Sequence, residues 1–296
     1  MAIRFDIMRD GRDYWATADD GPRFFVGRRV SYEGRVGLYN VFPASPLTKL
    51  DFDPKNYTGQ FGFWVAFINP TAGCEGRNFL TLNSYDRAAF TFGFGQFAAH
   101  VPDGDFVRWF RAMLAQPEAA DYFPDLSLVN GRIHGAAGPL ETADSTAALM
   151  AYFNPARDKV DEAEILAAAR LIHWTANRRP ARLAQITQMI ASFRDYLGRA
   201  DRRGLIDGQR AAHCCVIADL LHHGRGGRTL WSSVSRALAA NDPFEALLAI
   251  GGTHNLEYWQ FSETVSALMQ TLGINIPKLR QQTDFNYGRN GAKGQA

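Results

Sequence analysis

A chain of 296 residues and 32.9 kDa, 46% hydrophobic and 21% charged, is long enough to bury a substantial core and has the make-up of a folded globular protein. Its net charge of +2 is too small to suggest nucleic-acid binding from bulk charge. The cysteines Cys74, Cys214 and Cys215 form an odd set without zinc-ligand spacing, so neither a disulfide framework nor a metal site is expected.

The opening MAIRFDIMRDGRDYW meets charges early and holds no apolar core of a signal peptide. No apolar run approaches the roughly 18 to 20 residues that span a bilayer. The expectation is a protein made in the cytoplasm, with no membrane span, that reaches any outside substrate by release or delivery. Up to about residue 50, short apolar segments such as Phe24 to Val26, Val30 to Tyr32 and Val36 to Val41 alternate with glycines, which predicts short strands and tight turns. The prolines of FPASPLTKLDFDP predict a boundary near residues 43 to 54. Residues 1–52 are therefore read as a β-rich extension or docking module, 53–280 as the main domain, and 281–296 as a polar tail.

Tyr57 to Ile68 is continuously apolar and reads equally as buried helix or strand. Asp105 is a candidate cap for a helix carrying Phe106, Trp109, Phe110 and Met113 at helical spacing. Residues 115–145 are rich in Gly and Pro and read as loop, of the kind that often shapes a cleft. From Asp158 onward the pattern is helical. Ile165, Leu166, Ala169 and Ile172 form one stripe, and Pro180 opens a helix with Leu183, Ile186, Ile190, Phe193 and Leu197 on one face and a stop at Gly198. Asp207 is read as starting the next helix, Asp242-Pro243 with Glu245 as capping another, and a last helix is expected near Leu256 to Leu272.

Glu75 to Gln96, EGRNFLTLNSYDRAAFTFGFGQ, has the pattern of a hairpin flanked by one acid and carrying a second near its turn. Cleaving a glycosidic bond requires one carboxylic acid that keeps its proton and one carboxylate that stays ionised and holds water. Glu75, between the aromatic run Phe61 to Phe67 and Phe79, suits the first role because burial penalises the charged form. Asp86, among turn formers, suits the second; it reads equally as a residue that bonds its own backbone. Gly93 and Gly95 permit close backbone packing or substrate approach, and no P-loop lysine follows them. Tyr85, Phe92 and Phe94 are candidates for stacking on sugars or for the core.

Glu75-Gly76, then Asp86, then Thr91-Phe92-Gly93-Phe94-Gly95 resembles the signature of phage-type lysozymes, in which Glu-Gly precedes an Asp and a Thr-x-Gly-x-Gly hairpin. Asp86-Arg87 with Phe90 to Gly93 is similar to the catalytic hairpin of chitosanases, and Gln96 after the glycines resembles a Gly-x-x-Gln run of lytic transglycosylases. The resemblance covers about twenty-two residues. It implies a lysozyme-like α+β fold with a small hairpin lobe and a larger helical lobe. It further implies a glycoside hydrolase of the endolysin kind acting on peptidoglycan or a related β-1,4-linked amino-sugar polymer, without metal or organic cofactor. Glu75, Asp86 and Thr91 would be catalytic, with Thr91 helping to bind the water; Tyr85, Gly93, Gly95 and Gln96 would bind substrate. Chitosanase or transglycosylase activity is the enzymatic alternative, and a non-catalytic glycan-binding or structural part of a larger assembly the other. In the resembled family the acid ends a helix, whereas here Pro70 and Gly73 stand just before Glu75 as interruptions of such a helix. His222-His223-Gly224 is similar to a His-Gly near the end of a chitosanase helix, and equally suits a helix C-terminus.

Overall fold

The computed structural model describes residues 2–19 and 21–250. The first strands, β1 (Phe5–Asp10), β2 (Asp13–Ala18), β3 (Phe24–Tyr32) and β4 (Arg35–Tyr39), form an antiparallel meander. Burial alternates along β2, with Tyr14, Ala16 and Ala18 inward, as a half-buried strand requires.

The ambiguous apolar run is helical, giving α1 (Thr58–Phe61) and α2 (Trp64–Cys74). The interruption expected at Pro70 and Gly73 does not occur: α2 runs through both. Burial of Trp64, Val65, Phe67 and Ile68, worth roughly 1.5 to 3 kcal/mol for a large apolar side chain, outweighs an interior proline cost of about 3 kcal/mol. The hairpin region follows as β5 (Leu82–Asn83), β6 (Thr91–Phe92) and β7 (Phe97–Ala98), then α3 (Asp105–Leu114) and α4 (Ala119–Tyr122). Gly104, not Asp105, occupies the cap of α3; Asp105 is its first residue, where a negative charge suits the helix dipole.

The stretch read as loop contains a second, three-stranded sheet, β8 (Ser127–Val129), β9 (Arg132–Gly135) and β10 (Gly138–Pro139). It is tied down by the fully buried Glu141, whose carboxylate accepts from Arg111, Arg132 and the Ile133 amide. Burial pushes the Glu141 carboxyl up, but these donors outweigh it and hold it below the ordinary carboxylate value.

The remaining helices are α5 (Ala147–Phe153), α6 (Glu162–Asn177), α7 (Arg179–Asp201), α8 (Ala211–His222), α9 (Leu230–Leu238) and α10 (Pro243–Leu248). Helix α7 passes the stop expected at Gly198, since an interior glycine costs only about 1 kcal/mol and Phe193, Leu197 and Ala200 are buried around it. Helix α8 starts at Ala211 instead of Asp207. Asp242 caps α10 as its sequence predicts, accepting from the Phe244 and Glu245 amides. The helix expected at Leu256 to Leu272 and the tail from residue 281 lie outside the described residues.

The chain is thus α+β and divides into two compact units. One comprises the residues up to Phe52 with Glu75–Gln188; the other comprises Asp53–Cys74 with the residues from Met189 onward. Residues before Phe52 therefore share a unit with the hairpin, because β4 pairs with β5 and one antiparallel sheet runs from β1 to β7 in chain order. Its core is aromatic: Phe90, Phe92, Phe97, Phe106, Trp109 and Phe153 are buried together. On α6, Trp174 stacks on Tyr122 with ring centroids 4.7 Å and planes 2° apart. In the second unit Phe67 of α2 meets Phe193 of α7 edge-on, and Cys215 of α8 donates to the Phe67 carbonyl. Among the described residues no helix is long and apolar enough to cross a membrane.

Candidate active site

Glu75 is the first residue after α2 and is half-buried. The chain then runs beside Leu50 to Phe52: the Phe52 amide donates to the Arg77 carbonyl, and the Phe79 amide to the Leu50 carbonyl. The buried Asn40 side chain fixes the next step, donating to the Leu80 carbonyl and accepting from the Leu82 amide, both at 2.8 Å. A carboxamide with both ends satisfied locks the hairpin to the meander, since an unmade buried hydrogen bond is costly.

Asp86 sits in the turn between β5 and β6 and, like Glu75, is half-buried. Its carboxylate accepts from the Asn83 side chain at 2.9 Å and from the Ala88 amide at 2.8 Å, and its carbonyl accepts from the Ala89 amide and from Arg157. Buried Asn154 closes the turn from below, donating to the carbonyls of Ser84 and Ala89 at 2.8 and 3.0 Å. The carboxylate is therefore held at one position, with oxygen lone pairs beyond those the turn uses.

Thr91 is a buried β6 residue in register with Asn83 and Ala98. Of the two roles open to Gly93, close packing is the one realised. A Cβ there would stand 2.4 Å from the Gln185 side-chain oxygen, and φ is +87°. Gln185, fully buried on α7, accepts from the Phe94 amide and donates to the Phe79 carbonyl, each at 3.1 Å. Gly95 is buried, and the half-buried Gln96 side chain bonds the Gly93 carbonyl at 3.3 Å. Phe94 belongs to the core, stacked on Phe52, and Phe92 stacks on Trp109.

Tyr85 is different, because it stands edge-on to two other tyrosines, Tyr39 at 5.8 Å and Tyr32 at 6.1 Å. Burial, then the neighbouring Tyr39, Asp86 and Tyr32, raises its pKa, and burial raises that of Tyr39. His100, half-buried nearby, has its pKa lowered by burial and by the Arg87 charge, against the opposing pull of Asp86.

Several of these neighbours escape sequence reasoning. Tyr32 and Tyr39 read only as strand residues, and Arg157 carries no sequence signal. Glu164, fully buried at the start of α6, takes the Ser84 hydroxyl, the Leu38 amide at 3.1 Å and the Asp161 amide at 3.3 Å. The spacing Asp161-x-x-Glu164 before an apolar stripe is the signal that could have found it, for the two form a capping box. Burial pushes its pKa up to about 7 despite the three donors.

In the second unit His223 caps the end of α8, its Nδ1 lying 3.1 Å from the Asp219 carbonyl and 3.2 Å from the Asp219 carboxylate, which also accepts from Thr71 at 2.8 Å. That is the helix-terminus arrangement open to His222-His223 in the sequence. Among the described residues no group of three or more His, Cys, Asp or Glu is gathered to hold a metal ion. No protein-family model, curated protein or solved structure matches this chain.

Proposed function

We propose that the protein is a lysozyme-like glycoside hydrolase that cuts β-1,4 linkages of peptidoglycan, with Glu75 as general acid, Asp86 as base or charge stabiliser, and Thr91 helping to position water. The observation that carries the reading is the position of Glu75 directly at the end of α2, where the resembled family has its acid, followed by an antiparallel hairpin with Asp86 in its first turn. Support also comes from how Asp86 is held: Glu75 and Asp86 are both half-buried, and bonds from Asn83 and the Ala88 amide fix the Asp86 carboxylate at a set place. Gly93 serves the packing of this hairpin, and Tyr85 is the aromatic kept near Asp86 for substrate.

The decisive experiment is release of reducing ends from purified cell wall, with chitosan as the comparison substrate, by the parent protein and by Glu75→Gln. Loss of turnover of roughly 100-fold or more with an unchanged melting temperature is the expected result. Equal activity in the variant, or none in the parent, overturns the hydrolase reading.

A further inference from the structure

We propose that Tyr32, Tyr39 and Tyr85 form a stacking platform for a neutral, N-acetylated sugar strand, continuing from the Asp86 turn along the β3–β4 end of the sheet. The ligand class rests on the glycosidase reading; the platform itself rests on sheet register. Arg28, Val30 and Tyr32 of β3 face the same way as Tyr39, Gly37 and Arg35 of β4, because Arg28 pairs with Tyr39 and Tyr32 with Arg35. Between the two tyrosines lies Gly37, where a Cβ would stand 2.7 Å from the Ser84 carbonyl carbon. Only glycine lets the chain cross there, and the crossing seats Tyr85 between Tyr32 and Tyr39 with its ring edge-on to both, at 71° and 88°.

Three observations select the ligand. Tyr32 is the most exposed aromatic side chain among the described residues, at 55%, on the last residue of β3. Holding an aromatic face in water at the tip of a rigid hairpin gives contact area at low entropy cost, and each phenol adds a hydrogen-bonding tip. Of the nearby charges, Arg35 lies 3.6 Å from Glu33, Arg157 donates to the Asp86 carbonyl, and the Asp86 carboxylate holds its own turn, while Arg87 is exposed. Such a surface offers three rings with their hydroxyls, which suit the apolar faces and hydroxyl edges of a sugar. Its place next to Asp86 would extend the hold on the glycan beyond the bond being cut.

The test uses the full chain carrying Glu75→Gln, so that binding is read without turnover, and titrates it calorimetrically with the N-acetylglucosamine hexamer and with its deacetylated counterpart. Adding Tyr32→Ala is expected to weaken hexamer binding about tenfold, the scale of one aromatic contact. Tyr32→Trp, which keeps a ring, should retain it, and melting temperatures should match. Equal affinity with and without the Tyr32 ring, tighter binding of the deacetylated chain, or no hexamer binding at all overturns the platform. Hexamer binding that depends on Tyr32 in a parent protein lacking turnover supports the platform while removing the hydrolase reading. Turnover that depends on Glu75 but binding indifferent to Tyr32 does the reverse.

Discussion

The Ser84 hydroxyl donates to the Glu164 carboxyl inside the protein, joining the turn that carries Asp86 to the first turn of α6, eighty residues further along the chain. Both residues are fully buried, and the Leu38 amide of β4 reaches both side chains. The meander, the hairpin and α6 therefore meet at one titratable group.

Because burial raises the folded-state pKa of Glu164 to about 7, above its ordinary 4.5, the folded protein holds this proton more tightly than the unfolded chain. Its stabilising effect is complete below pH 4.5 and is lost as pH rises to about 7. The span corresponds to about 3 kcal/mol. Glu164→Gln should flatten this part of the stability profile, at the cost of the bond to the Asp161 amide. Urea midpoints at pH 5 and pH 8 measure it; a slope equal to that of the parent would show that Glu164 does not carry the dependence.

Gly93 and Gln185 occupy each other's space, so Gly93→Ala should be among the harsher single changes in the hairpin. The added methyl meets the Gln185 oxygen and imposes a left-handed backbone on a residue with a side chain. A loss of at least ~2 kcal/mol is expected, seen as a fall of roughly 4 to 8 °C in melting temperature. Combining it with Gln185→Ala should give less than the sum of the two losses, because the second change opens the space the first one needs. Strict additivity would remove the packing explanation.

Asp86 separates a structural from a chemical role by its choice of substitute. Asparagine keeps a side-chain oxygen for the Ala88 amide and gives up only the bond from the Asn83 side chain, but it carries no charge. Under the hydrolase reading Asp86→Asn should stay folded, losing about 1 kcal/mol of stability with the Asn83 bond, and lose about 100-fold or more in cell-wall hydrolysis. Full activity in a normally folded variant would leave Asp86 as a turn residue alone.

Much of the fold was legible because its signals are local. The strands of the meander, the apolar stripes of α3 and α7, the Asp242-Pro243 cap and the existence of a hairpin after Glu75 follow from periodicity and turn chemistry within a few residues. Two of the errors were local signals overruled by packing: α2 runs through Pro70 and α7 through Gly198 because buried apolar side chains outweigh the helix-breaking preference.

What the sequence by itself determined was the supply of groups: which carboxylates flank the hairpin, which turn Asp86 shapes, and that bulk charge and cysteine spacing suggest neither nucleic acid nor metal. The tertiary structure decided which of these groups meet. Leu38 and Glu164 bond across 126 positions, Phe94 and Gln185 across 91, and Tyr85 settles beside two strands of the stretch that the sequence reads as a β-rich extension or docking module. No window of neighbouring residues encodes such pairs; they arise when burying apolar faces brings distant polar groups together and each must then find a partner.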